Sequence, residues 1–174
     1  TNPVANITEL DNKASTLRLL GNAYAEWNVW KTLTYRATLG ADLTYFRQNQ
    51  FQTSAIPLNQ LLPPNINTGS SYTSQNINWV TSHTLNYTFE LGSSHRFGAL
   101  LGLEAQKNNF EESRVNANAF PNDVVRTVNA GTIVGGTSFQ DQWSLASYFG
   151  RVNYAFKDKY LFNASIRRDG SSRF

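Results

Sequence analysis

"LTYRATLGADLTYFR", Leu33–Arg47, decides the fold. Leu33, Tyr35, Ala37, Leu39, Ala41, Leu43 and Tyr45 occupy one set of alternate positions. Thr34, Arg36, Thr38, Gly40, Asp42, Thr44 and Phe46 occupy the other. Only a period of two sorts these residues, and successive side chains on an extended strand point to opposite faces. The stretch is therefore a strand with one apolar face and one largely polar face. It outruns the ~5–6 residues of an ordinary soluble strand. It also exceeds the ~9–11 residues with which a tilted strand crosses hydrocarbon.

The same alternation appears in five more places, giving expected strands at about 16–29, 33–47, 77–89, 96–107, 143–156 and 160–167. The linkers also alternate. Short "WKT", "ELGSSH" and "KDK" join the strands in pairs, while the long polar segments Gln48–Asn76 and Asn108–Gln142 separate the pairs. Short and long in turn is the pattern of an outer-membrane barrel, with tight periplasmic turns and longer outer loops. The expected fold class is all-β: an antiparallel meander of about six long strands, part of a transmembrane β-barrel.

Charge placement sharpens this. Arg18, Arg36, Asp42, Glu104, Arg151 and Arg167 all fall on polar faces. A basic residue facing lipid at mid-bilayer would cost ~2–4 kcal/mol. His83 is the awkward exception, its parity placing it with the apolar set, and Arg168 is tolerable there only where the strand has left hydrocarbon. Aromatic residues gather near the strand ends: Trp27, Trp30, Tyr35, Tyr87, Phe89, Phe97, Tyr154, Phe156, Tyr160 and Phe162 near the short turns, Tyr45, Phe46, Trp79 and Trp143 near the long loops. Two such girdles mark the two interfaces of a membrane barrel. A β-sandwich would alternate too, but it explains neither the strand length nor the uneven linkers.

Composition agrees. Charged residues make up only 16% and aromatics 13%, with Asn, Gln, Ser and Thr abundant. The net charge of +3 comes with no basic cluster, so no nucleic-acid partner is expected. Cysteine is absent, which excludes disulfides and thiolate metal sites. The two histidines, His83 and His95, lack metal-ligand spacing, and no nucleophile elbow or phosphate loop appears. No enzyme activity and no cofactor is expected. Glu111-Glu112 reads as a solvated pair, and the triplets at Asn6, Asn86 and Asn163 as chance glycosylation matches. Lumen-facing candidates are Arg18, Asn22, Tyr24, Arg36, Asp42, Glu104, Arg151 and Arg167. Tyr72, Asn108, Phe120 and Asn122 are outer-loop candidates for contact with a ligand or a lid. Asp169-Gly170 reads as the start of an outer turn.

Six strands do not close a barrel, which starts at about 8. The chain is therefore expected to be a mid-barrel stretch of a longer protein, as the missing initiator Met also suggests.

"KDKYLFNASIRRDGSSRF", residues 157–174, closely resembles a barrel strand of the SusC/RagA family of TonB-linked outer-membrane transporters. The motif residues are Arg167, Arg168, Asp169, Gly170, Ser171, Ser172, Arg173 and Phe174. "WSLASYFGRVNYAFKDKY", "FPNDVVRTVNAGT", "LGLEAQK", "HTLNYTF" and the opening "TNPVA" resemble other parts of that family. The resemblance implies a barrel of about 22 strands filled by a plug, with the plug domain absent here. It implies a bacterial outer-membrane location in contact with lipid. It further implies a SusD-like surface lipoprotein and the TonB complex as partners, and import of oligosaccharides or peptides. A passive porin-like barrel and a secreted β-sandwich or adhesin are the alternatives.

Overall fold

The computed structural model describes residues 3–56 and 65–173. Phe174 of the family motif, and Thr1 and Asn2 of the opening segment, lie outside the described residues. A short helix, α1 (Pro3–Thr8), precedes six strands: β1 (Leu10–Trp30), β2 (Leu33–Gln52), β3 (Thr68–Leu91), β4 (His95–Asn118), β5 (Thr132–Phe156) and β6 (Tyr160–Ser171). One 3-10 turn, Val128–Ala130, comes before β5. The strands form one sheet in the order β1-β2-β3-β4-β5-β6, so each pairs with its sequence neighbour.

The strands are longer than the alternation alone suggests. β3 starts at Thr68 rather than near residue 77, β4 runs to Asn118 rather than 107, and β5 starts at Thr132 rather than 143. The expected loop at 108–142 is thus largely strand, and the one at 48–76 is strand at both of its ends. β6 also runs on. Asp169 pairs with Ser147 and Gly170 with Ala146, so these two residues continue the ladder and do not begin a turn. Turn propensity at Asp-Gly is local, and cross-strand pairing overrides it here. The chain bends only afterwards, where the Ser172 amide donates to the Ser144 carbonyl at 3.0 Å and the Ser144 amide donates to Ser172 Oγ at 2.8 Å.

The short turns are tight. Lys157 and Asp158 both have positive φ (49° and 51°), and the Lys159 amide closes back on the Phe156 carbonyl at 3.0 Å. Positive φ at both central residues matches the right-handed twist of the flanking strands. In the turn between β3 and β4, Gly92 takes φ 63°, a conformation glycine adopts without steric cost.

The chain divides into two compact units, and the division cuts β1 to β5. The loop-end unit comprises Thr1–Arg18, Thr44–Asn76 and Phe110–Asp141. The turn-end unit comprises Leu19–Leu43, Ile77–Asn109 and Gln142–Phe174.

The loop-end unit holds a small core. Phe51, Ala117 and Phe120 are buried, with Val128 and Ala130 packed against them. The Phe51 and Phe120 rings meet edge to face at 5.0 Å, the geometry their quadrupoles favour. Buried Asn67 clamps Phe120 from both sides: the Phe120 amide donates to Asn67 Oδ1 at 2.7 Å, and Asn67 Nδ2 donates to the Phe120 carbonyl at 3.3 Å. Asp123 accepts from the Ser54 hydroxyl (2.7 Å), the Ser54 amide (3.0 Å) and Asn67 Nδ2 (3.1 Å). These donors, the Ser54 hydroxyl first, hold the Asp123 carboxyl below its ordinary 3.8.

The turn-end unit has no buried apolar residue among the described residues. Many of its large apolar side chains, among them Leu19, Leu39, Leu101, Leu161, Phe162 and Ile166, are exposed, and others, such as Leu43 and Phe97, are half-buried.

Candidate functional site

The polar face of the turn-end unit carries most of the candidate residues, and the strands bring several together. Arg167 on β6 is the hub. Its Nη2 donates to Glu104 Oε1 on β4 at 3.0 Å and to Ser147 Oγ on β5 at 3.0 Å, and its Nε donates to Asp169 Oδ1 at 2.8 Å. The guanidinium also lies 5.6 Å from the centre of the Phe149 ring. A fork of N–H donors suits this role, because it reaches two carboxylates and a hydroxyl at once. Ser147 is only 1% exposed.

Gly102 is what lets this cluster lie flat. The Phe149 ring sits directly over it, and a Cβ there would collide with the ring. The side chains of β4, β5 and β6 on this face thus interlock as glycine under aromatic, aromatic beside arginine, and arginine between two carboxylates.

Elsewhere on this face, Arg36 on β2 stacks over the Tyr24 ring of β1 at 4.3 Å. Gln106 Nε2 donates to Asn78 Oδ1 at 3.2 Å. Asn22 and Arg151 stand exposed on β1 and β5 and join neither cluster. Asp42 is half-buried on β2, and both it and Arg18 are engaged with neighbours. Arg18 belongs to the loop-end unit. Ser147 and Phe149 were not singled out from sequence. Their parity with Arg151 was the available signal, but an uncharged pair draws no notice until Arg167 is seen to use it.

The opposite face explains His83. The Tyr35 hydroxyl is 2.6 Å from its Nδ1, and Thr81 Oγ1 is 3.3 Å from its Nε2. Both ring nitrogens have partners, so an imidazole on an apolar face leaves no orphaned polar atom. Near the short turns, rings pack against one another across β3 to β6. Phe89 lies 4.7 Å from Phe97, Phe97 4.8 Å from Tyr154, and Phe156 6.4 Å from Tyr160. His95 joins this band through the Tyr154 hydroxyl at 2.8 Å. It is a girdle of aromatic rings with the Tyr154 and Tyr160 hydroxyls among them, as an interface between hydrocarbon and water selects.

The four loop candidates resolve differently. Tyr72 lies in β3 and donates to Glu112 Oε2 at 2.7 Å. Asn108 lies in β4. Phe120 is core, 6% exposed, and is not available to a ligand. Asn122 accepts from the Val124 and Val125 amides, both at 2.9 Å, and shapes its own loop. No cluster of three or more His, Asp or Glu that could hold a metal ion occurs among the described residues. No helix among them is long and apolar enough to cross a membrane, which says nothing about strands.

No family model matches the chain. Curated relatives do. TonB-dependent receptor P26 of Formosa agariphila is 33% identical over 177 residues, covering 99% of this chain and 18% of that protein. TonB-dependent receptor SusC of Bacteroides thetaiotaomicron is 50% identical over 38 residues, covering 22% of this chain and 4% of SusC. The chain thus spans less than a fifth of the length of these relatives. Among solved structures, that of the RagAB peptide transporter superposes with a TM-score of 0.89 at 21% identity, over 100% of this chain and 19% of the matched one. At that identity the superposition speaks for the fold, and the fold is a stretch of barrel wall. An apolar face, a polar face, a ring girdle and a match to a TonB-dependent receptor along 99% of this chain lead to one conclusion: the chain belongs to the SusC/RagA-type TonB-dependent receptors of the outer membrane and corresponds to part of their barrel.

Proposed function

We propose that this chain forms part of the wall of a TonB-dependent importer, and that its polar face is the lumen. In this reading Arg18, Asn22, Tyr24, Arg36, Asp42, Glu104, Arg151 and Arg167 hold the plug or border the substrate path. The apolar face, with Leu39, Leu101 and Ile166, meets lipid. The partners are a SusD-like surface lipoprotein outside and the TonB complex inside, and the cargo is an oligosaccharide or a peptide. The observation that carries this reading is the match to TonB-dependent receptor P26 along 99% of the chain.

The physical logic is that of a lined channel. The Glu104–Arg167–Asp169 cluster sets one guanidinium between two carboxylates, so it offers a plug or a polar substrate hydrogen-bonding edges with a small negative excess. The stacked Tyr24–Arg36 pair presents a flat surface suited to a sugar ring or a peptide group.

The test uses the full-length receptor in its own bacterium. Uptake of labelled oligosaccharides and peptides is compared in wild type, in a receptor deletion and in a TonB deletion. Uptake lost in both deletions supports the reading. Uptake that needs the receptor but survives loss of TonB would assign a passive pore.

A further inference from the structure

Arg168 poses a problem that import does not solve. β6 stays in the sheet through Ser171, and Arg168 pairs directly with Tyr148 on β5. Direct cross-strand partners share a face. Arg168, Tyr148 and Ile166 border one shallow groove with Leu85, Leu101 and Leu103, on the apolar side of the turn-end unit. Tyr35 and His83 also line it, but they are hydrogen-bonded to each other. The adjacent Asp169, and Glu104 on β4, are on the other face and are held by Arg167. Among the described residues, no hydrogen bond, ion pair or ring contact engages the Arg168 guanidinium.

The position along the strand says what it meets. Tyr160 marks the ring girdle at the short-turn end of β6. Arg168 lies eight residues further on. At ~3.3 Å per residue and a tilt of about 40°, it stands about 20 Å above that girdle, near the far border of a ~25 Å apolar band. Its side chain is exposed there, beside apolar side chains that include Ile166 at 77% exposure. The anion available at that depth and on that face is a lipid phosphate. A guanidinium fork fits phosphate with two parallel hydrogen bonds.

We propose that this groove binds a phosphorylated lipid of the outer leaflet, its phosphate held by Arg168 and its acyl chains lying along Leu85, Leu101, Leu103 and Ile166. Tyr148 flanks the headgroup with its phenol. The site rests on the outer-membrane reading of this face and not on import, so a receptor that fails to bind lipid could still transport, and the reverse.

The experiment uses the purified full-length receptor in mild detergent. It is incubated with lipid A, either phosphorylated or phosphatase-treated, and bound lipid is counted by native mass spectrometry. Wild type should retain the phosphorylated form about tenfold more tightly, as one charge-assisted pair can provide. Arg168→Gln should lose that preference, and Arg168→Lys should keep part of it. Equal retention of the two lipids by wild type overturns the proposal, and that comparison stands even if Arg168→Gln fails to fold. So does full displacement of lipid by inorganic phosphate, which would assign the guanidinium to a free anion. An acidic side chain of a further strand within salt-bridge distance of Arg168 in the full-length structure overturns it as well.

Discussion

In the loop-end unit Phe51, Ala117 and Phe120 are 3%, 2% and 6% exposed; in the turn-end unit Leu101, Leu103 and Ile166 are 65%, 50% and 77% exposed. The same strands run through both units. The loop-end unit gathers a few apolar side chains into a small core, while others, such as Leu17, Ile133 and Phe139, stay exposed. The turn-end unit buries none among the described residues, and an exposed apolar sheet face is an aggregation hazard in water and the requirement in a bilayer. A strand does not carry a single solvent along its length, and the place where its burial pattern changes marks where its surroundings change.

The largest break in this comparison is Phe120→Ala in the full-length receptor. Removing a buried ring costs ~3–5 kcal/mol. Limited proteolysis should show new cleavage in residues 110–141 while the barrel keeps its heat-resistant migration on gels. Loss of the folded barrel as well would mean that the two units do not fall apart separately.

Next comes Leu101→Arg. Charge placed in hydrocarbon costs ~2–4 kcal/mol, and the expected readout is loss of heat-modifiable, membrane-inserted receptor. Leu39→Arg should behave alike, and Arg36→Leu should disturb assembly less. Equal losses from all three would erase the distinction between the faces.

Asn67→Ala tests the polar half of the small core. It leaves the Phe120 amide and carbonyl without their buried partner, worth ~1–3 kcal/mol, and should weaken the loop-end unit alone.

The smallest effect is acid. The Asp123 carboxyl sits below its ordinary 3.8, so its contribution to the loop-end unit is fully present above that pH and is lost as pH falls through the lower, folded value. Proteolysis in residues 110–141 should rise in this window, and Asp123→Asn should remove most of the pH dependence. An unchanged acid profile in that variant would place the titration elsewhere.

Legibility followed the same division. Alternation from Leu33 to Arg47 and from Tyr160 to Arg167 could be read because each face of the turn-end unit meets one kind of surroundings along its length. In residues 48–76 and 108–142 the alternation fades. Those strand extensions carry few apolar side chains, and the buried Ala117 is too small to mark a face, so Thr68–Asn76 and Asn108–Asn118 read as loops. The core escaped notice because Phe51, Asn67 and Phe120 are far apart in sequence and only the fold brings them together. Asp169-Gly170 misled because a turn signal is local, whereas its pairing with Ser147 and Ala146 is not. The Arg36–Tyr24 and Arg167–Glu104 partnerships were legible as shared faces but not as contacts, since parity gives the side of a strand and not the register between strands.

The most direct test of the two-faced wall is a spin-label scan of β6 in the full-length receptor in lipid nanodiscs. The chain contains no cysteine, so each of positions 161–167 can be labelled in turn without competition from this stretch. Accessibility to oxygen, which partitions into lipid, is compared with accessibility to a water-soluble nickel chelate. Phe162, Ala164 and Ile166 should favour oxygen, while Leu161, Asn163, Ser165 and Arg167 should favour nickel, with a period of two. A flat profile, or the opposite phase, would contradict the assignment of the apolar face to lipid and the polar face to the lumen.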